Sequence, residues 1–374
     1  MSGIYLHIPF CKQACHYCNF HFSTSLKHKE SMVTSIVREL ELQRHFLGGA
    51  SLQSIYLGGG TPSLLDERDL ERVFNQIFKL HQVDADAEIT LEANPDDLTA
   101  DKLRMLQRSP VNRLSIGIQS FIDEDLKFMN RAHNASEAKQ CIQRAQQAGF
   151  HNLTVDLIYG TPTLSDKEWR NNLDTVFEHD IPHISCYCLT VEPQTALDHF
   201  VKTGKSKPVD EEQAADQFDI LVEQMRQHGY DHYEISNFAK PNCYARHNSN
   251  YWLGEKYLGV GPAAHSFDGA NRQWNVANNA QYIRALAADT IPFEREHLSR
   301  EERYNEYVMT ALRTMWGANL DKVSDFGIDF KRHFLMTIRS FLNDGAVQRV
   351  DNDFYLTDKG RLLADHIASE LFMT

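Results

Sequence analysis

No stretch of this sequence approaches the roughly 18 consecutive apolar residues that a membrane-spanning helix requires, so the chain offers no helical membrane span. Positive charge is also scarce. There are 38 Lys and Arg against 51 Asp and Glu, a formal net charge of −13. Such a chain lacks the basic surface of a general nucleic-acid binder, although a local basic pocket stays open. The N-terminus lacks the features of a signal peptide. Ile4, Leu6 and Ile8 alternate there with Tyr5 and His7, which is the period of a strand. The mature protein is therefore expected to begin near Met1 and to remain in the cytoplasm. An even set of cysteines is missing too. Seven are present, and three of them crowd within eight residues. That pattern suits metal binding in a reducing compartment better than a disulfide framework. Internal repeats and low-complexity segments are absent.

What is present reads as a globular chain: 42% apolar residues with mixed charges over 374 positions. That length holds one large α/β barrel with a smaller domain, or two ordinary domains. Short runs rich in Ile, Leu, Val or Tyr predict strands near 3–8, 52–57, 86–92, 112–118, 151–158 and 181–188. Helical spacing appears between most of them, at 27–47, 66–80, 135–148 and 166–178, as in Leu70, Val73, Phe74, Ile77 and Phe78. Alternating βα units imply a parallel sheet with right-handed crossovers. Six units are too few for a closed eightfold barrel, so an open, partial (β/α)6 barrel is expected, with its site at the C-terminal strand ends.

The rhythm changes after about residue 200. A polar linker at 203–210 precedes a helix at 211–228 and a mixed region rich in Gly, Asn and aromatics at 230–280. Residues 298–374 read as helix, helix, two short strands and helix. Residues 351–353 turn between the strands, and Thr357 caps the last helix. This is an α+β winged-helix-like module without a basic recognition face, so no nucleic-acid partner is expected. The division is 1–205 for the barrel, 206–297 for a connecting region and 298–374 for the C-terminal module.

The first strand ends at Pro9-Phe10, and Cys11, Cys15 and Cys18 follow with the spacing C-x3-C-x2-C. A loop of this kind can wrap three thiolates around three corners of a [4Fe–4S] cube. The fourth iron is then open to a small chelating molecule. A zinc site with His16 or His21 as fourth ligand is the alternative.

On these residues the first 190 positions resemble the radical SAM superfamily. The resemblance implies S-adenosylmethionine (SAM) on the open iron, and its one-electron cleavage to methionine and a 5′-deoxyadenosyl radical. An electron donor of the flavodoxin or ferredoxin kind is implied with it. Gly58-Gly59-Gly60-Thr61-Pro62 after the second strand is similar to the family's SAM-amino motif, so Gly59, Gly60 and Thr61 become SAM-binding candidates. Polar residues stand at the other strand ends: Glu92, Gln119 and Asp156, with Arg131 after a short helix. A charge inside a strand rarely survives burial unpaired. Either these groups pair internally, Arg131 with Glu92 or Asp156, or they contact SAM. They match the SAM-contacting set of the coproporphyrinogen dehydrogenase-like branch. In that branch Tyr5 also touches SAM, and Tyr17 would pack near the adenine.

Two departures separate the chain from the oxygen-independent coproporphyrinogen III oxidases of that branch. Phe20 stands where they carry a fourth cysteine, and no N-terminal extension precedes the first strand. Residues 247–252, His-Asn-Ser-Asn-Tyr-Trp, instead resemble the hallmark of the HemW haem-chaperone group. A neutral imidazole at His247 is a good axial ligand for haem iron. Tyr251 and Trp252 offer flat faces to a porphyrin. The plainer reading has His247 hydrogen-bonded in an interface and Trp252 as core. The resemblance implies a chaperone that binds haem, a [4Fe–4S] cluster and SAM and serves acceptor haemoproteins. Exposed barrel edges permit a homodimer, and a membrane-bound acceptor would bring the chain to the membrane periphery. Cys141, Cys186 and Cys188 are expected to be buried and inert. Cys243, four residues before His247, and His265 in a Gly-rich loop stay open.

Overall fold

The computed structural model describes residues 2–373. In β1 (Ser2–Ile8) the residues Ile4, Leu6 and Ile8 are buried in the main core, while Tyr5 and His7 take the opposite face. The same division recurs in β2 (Leu52–Gly59), β3 (Val83–Ala93), β4 (Arg113–Gln119), β5 (Leu153–Tyr159) and β6 (His183–Cys188). These strands pair in sequence order and all in parallel. Between them run α1 (Lys29–Leu42), α2 (Glu67–Leu80), α3 (Ala100–Gln107), α4 (Asp123–Phe128), α5 (Ala135–Gln147) and α6 (Asp166–Glu178). Capping boxes at Asp66, Asn134 and Ser165 start α2, α5 and α6. Helix α2 buries Leu70, Val73, Phe74 and Ile77, but Phe78 at its end is 43% exposed.

The sheet does not stop at the six strands of the expected partial barrel. Helices α7 (Ala196–Lys202) and α8 (Glu211–Gln227) lead to the hairpin β7 (Asp231–Glu234) and β8 (Asn237–Ala239), antiparallel on β6. Helix α9 (Arg246–Trp252) leads to β9 (Lys256–Val260), which pairs in parallel with the free side of β1. Strands β10 (His265–Phe267) and β11 (Asn271–Asn275), helix α10 (Asn279–Ala287) and strand β12 (Phe293–His297) carry that edge outward, giving twelve strands. The region read as mixed thus holds five short strands of three to five residues each, too short to show alternation.

The C-terminal segment has its own core around Tyr304, Phe334, Phe354 and Ile367. Its elements are α11 (Arg300–Leu312), β13 (Ala318–Asn319), α12 (Leu320–Asp325), α13 (Ile328–Asn343), β14 (Val347–Val350), β15 (Asp353–Leu356), α14 (Asp358–Arg361) and α15 (Ala364–Glu370). The small sheet has three strands, not two, because the two-residue β13 joins β15. The single last helix expected after Thr357 is two short ones, broken at Leu362 and Leu363. No described helix is long and apolar enough to cross a membrane.

Candidate functional site: a cysteine loop and a polar barrel interior

The three cysteines lie where β1 runs out. The Cys11 amide donates to the Ser23 carbonyl at 3.0 Å, and Cys18 to the Cys15 carbonyl at 3.3 Å. Lys12 pairs with Asp96 at 2.8 Å and also with Asp97. Gln13 Nε2 donates to the Asn130 carbonyl and side-chain oxygens at 2.9 and 2.8 Å, and Asn130 Nδ2 returns a bond to the Ala14 carbonyl at 2.7 Å. The loop is therefore held from three sides before anything binds. All three thiols are free and half-buried. Burial pushes the Cys11 thiol up to about 11 and raises Cys18 as well, so iron must displace their protons. Arg131 Nη1 sits 3.2 Å from Cys15 Sγ, a cation ready for a thiolate.

Each candidate for a fourth zinc ligand has one ring nitrogen engaged elsewhere. His16 Nδ1 is 2.8 Å from the Phe128 carbonyl, and His21 Nε2 is 2.8 Å from Asn279 Oδ1. Among the described residues no three His, Cys, Asp or Glu side chains converge on one ion. Three thiols spread around one loop fit the corners of a cube better than a single ion.

Beside this loop β2 ends in its glycine turn. Gly59 has φ +103°, and a Cβ there would stand 2.5 Å from His7 Nδ1. At Gly60 a Cβ would stand 2.7 Å from the Ile8 and Phe10 carbonyls. Thr61 is buried and accepts from Asn94 Nδ2 at 3.2 Å. Glu92 accepts from the Tyr56 hydroxyl at 2.8 Å and from the Gly59 amide at 3.2 Å. Burial lifts its carboxyl to about 7; the Tyr56 bond works against that lift, and Asp156 adds to it. Burial lifts Asp156 to about 6.

Arg131 does not form the internal ion pairs weighed above. Its guanidinium donates to Asn94 Oδ1 at 2.6 Å and to the Gly117 carbonyl at 2.7 Å, and its Nε is buried with no partner. Gln119, at φ +67°, ends β4 beside it. Tyr17 packs with Leu126, Met129 and Ile158. Tyr5 lies deeper, 3.1 Å from His7 Nδ1 through its hydroxyl and stacked on Tyr56. A guanidinium with an unpartnered nitrogen and a buried carboxyl that already meets the glycine turn are groups that suit the carboxylate and ammonium of an amino acid. Asn94, His7 and Tyr56 complete this wall but were not singled out from sequence. Asn94 stood in the Leu-Glu-Ala-Asn-Pro string that yielded Glu92.

The 247–252 string forms α9, and its residues serve two compartments. His247 faces the barrel interior where the strands begin. Its Nδ1 lies 2.9 Å from Ser54 Oγ, and its ring stacks on Tyr56 at 5.1 Å and Tyr5 at 6.3 Å. Burial lowers its pKa to about 4, which keeps the imidazole neutral. Asn248 donates to the Tyr233 hydroxyl and accepts from Trp252 Nε1, at 3.3 and 3.1 Å. Tyr251 and Trp252 instead wall a cleft of about 370 Å³ between the barrel and the C-terminal segment. Tyr257, Tyr307, Trp316 and Phe326 line it too.

The radical SAM superfamily pattern matches residues 5–176, and the HemN C-terminal domain matches residues 298–363. Haem chaperone HemW of Bacillus subtilis (strain 168) is 32% identical over 98% of both chains. This chain belongs to the HemW family. HemW of Escherichia coli (strain K12) is 37% identical over 70% of this chain and 69% of its own. The solved structure of E. coli coproporphyrinogen III oxidase (HemN), a radical SAM enzyme, covers all of this chain and 90% of its own at TM-score 0.87 and 23% identity, a likeness of fold. In this HemW-family chain Cys141 and Cys186 are buried, as expected. Cys188 is exposed, because it stands at the last position of β6, beyond the cover of its neighbours. His265 lies exposed on β10, its ring 6.2 Å from that of Trp274.

Proposed function

We propose that the chain is a radical SAM haem chaperone. Cys11, Cys15 and Cys18 would hold a [4Fe–4S] cluster. Gly59, Gly60, Thr61, Glu92, Gln119, Arg131 and Asp156, with Tyr5 and Tyr17 behind them, would hold SAM. Together the two groups supply one-electron reductive cleavage of SAM. The chain's own part is to orient: Arg131 offers its unpartnered Nε to a carboxylate, and Glu92 offers its carboxyl to an ammonium. Haem would lie against Tyr251 and Trp252 and pass from there to acceptor haemoproteins, while His247, turned to the barrel interior, would brace the helix that carries them.

The observation carrying this reading is the extent of the likeness. It runs end to end with proteins named as haem chaperones, whereas the likeness to the oxidase is one of fold. Of the three-part division, the boundary at 297 is supported by the separate hydrophobic core of the last segment, whereas residues on either side of 205 share one core. A flavodoxin- or ferredoxin-like donor is supported by a groove beside His16. Lys127, Lys205 and Lys207 line it on an otherwise acidic chain. A homodimer would form along β12, whose five residues are all exposed. The cytoplasm is the proposed location, with peripheral contact at membrane-bound acceptors.

The test is anaerobic reconstitution followed by two assays on one sample. Haem titration should give a saturable Soret shift. Coproporphyrinogen III with SAM and reductant should give no vinyl product. A flat Soret band, or protoporphyrinogen formation, would overturn the proposal in favour of no haem role or of the oxidase.

A further inference from the structure

The cleft between α9 and the C-terminal segment has two kinds of surface. One is aromatic: Tyr251 meets Trp252 edge-on at 5.4 Å and Tyr257 at 5.7 Å. The other is cationic, with Arg272, Arg303 and Lys322 in the lining. Arg272 is already committed, its Nε 2.7 Å from Glu306. Arg303 and Lys322 are not. Both are exposed, and among the described residues neither ion-pairs with a carboxylate. Arg303 reaches only the Ser299 carbonyl at a long 3.4 Å, and the Lys322 ammonium stands 5.9 Å from the centre of the Tyr307 ring. Two cations without a carboxylate partner therefore stand at the rim of an aromatic slot.

The complement of that surface is a flat, apolar molecule with anionic groups on one edge. Stacking area comes from the aromatic walls. Orientation comes from charge-assisted bonds, bidentate in the case of a guanidinium. Haem has this form: a planar macrocycle with two propionates on one side. The overall negative field would repel a dianion, so cations at the rim are needed to admit it.

We propose that Arg303 and Lys322 are the propionate clamp of the haem cleft and so fix which edge of the macrocycle faces outward. This rests on the haem reading above. It assigns residues outside the 247–252 string, contributed by α11 and α12 of the C-terminal segment. The barrel side supplies the face of the slot, and the C-terminal side supplies the grip.

The experiment is a two-by-two titration of the full chain. Haemin and haemin dimethyl ester, whose propionates carry no charge, are each added to the unaltered protein and to the Arg303→Gln/Lys322→Gln variant. Exposed charge pairs contribute modestly to affinity. The unaltered protein should therefore bind haemin about tenfold tighter than the ester, and the variant should bind the two alike at the ester's affinity. Far-UV circular dichroism and cluster absorbance should be the same in both proteins, since both side chains are exposed. Equal preference for haemin in protein and variant would place the carboxylates elsewhere and overturn the clamp. So would equal affinity for haemin and ester in the unaltered protein. If neither ligand binds the unaltered protein, the haem reading falls first and the clamp with it. If the ester binds and the variant changes nothing, only the clamp falls.

Discussion

Glu92 accepts hydrogen bonds from Tyr56 and from the Gly59 amide, yet burial still holds its carboxyl near 7. Its folded-state proton affinity thus exceeds that of an exposed carboxylate. Such a group loses stability for the fold as pH rises from the ordinary carboxylate range through about 7. Each tenfold change in proton affinity is worth ~1.4 kcal/mol. Carrying the charge at pH 8 therefore costs the SAM-free chain roughly 3 kcal/mol. Urea unfolding at pH 5 and pH 8 should show the stability of Glu92→Gln gaining on that of the unaltered chain by about that amount as pH rises. Equal slopes would mean that Glu92 is ionised without penalty. His7 and His247 act in the opposite sense. Burial lowers both to about 4, so their contribution is lost as pH falls from the usual imidazole range. The sequence exposed Glu92 because a charge on an apolar strand is conspicuous. It could not expose Tyr56, which looks like any strand tyrosine until its hydroxyl is seen 2.8 Å from that carboxylate.

Helix α1 shows what an element conceals. Glu39 is fully buried on it. It accepts from the Gly261 amide at 2.8 Å, Asn275 Nδ2 at 2.7 Å and Gln43 Nε2 at 2.8 Å, and from the Tyr282 hydroxyl. Three of those partners lie 222 to 243 residues away in sequence. They belong to the strands and helix added beside β1, so this one carboxyl fastens the added edge to the barrel. Glu39→Ala leaves four donors unsatisfied and should cost about 3 kcal/mol in denaturant unfolding. Glu39→Gln should recover part of it. A loss below about 1 kcal/mol would show that water replaces the carboxyl. Helical spacing cannot mark such a residue, because its reason lies on another element. The helices α2, α5 and α6 were legible for the converse reason: cap, spacing and core face are all local. Strand β12 was illegible because every residue of Phe-Glu-Arg-Glu-His is exposed, leaving no apolar face to read.

Across the whole molecule the two candidate sites open at opposite ends of the barrel. The cysteines follow the C-terminal end of β1, whereas Tyr257 of the cleft pairs with Gly3 near its start. Cys15→Ala should abolish the cluster absorbance, because two thiolates do not hold the cube, yet leave haem affinity within about twofold. Trp252→Ala, in the cleft, should weaken haem binding and keep the cluster. Equal loss of the cluster in both variants would contradict separate sites. Inside the barrel Tyr5, Tyr56 and His247 stack on one another, and Gly3 lies against them. A Cβ at Gly3 would stand 2.7 Å from Ser54 Oγ and 3.2 Å from His247 Nδ1. A side chain at Gly3 would have to displace His247, the first residue of the string whose last two residues wall the cleft.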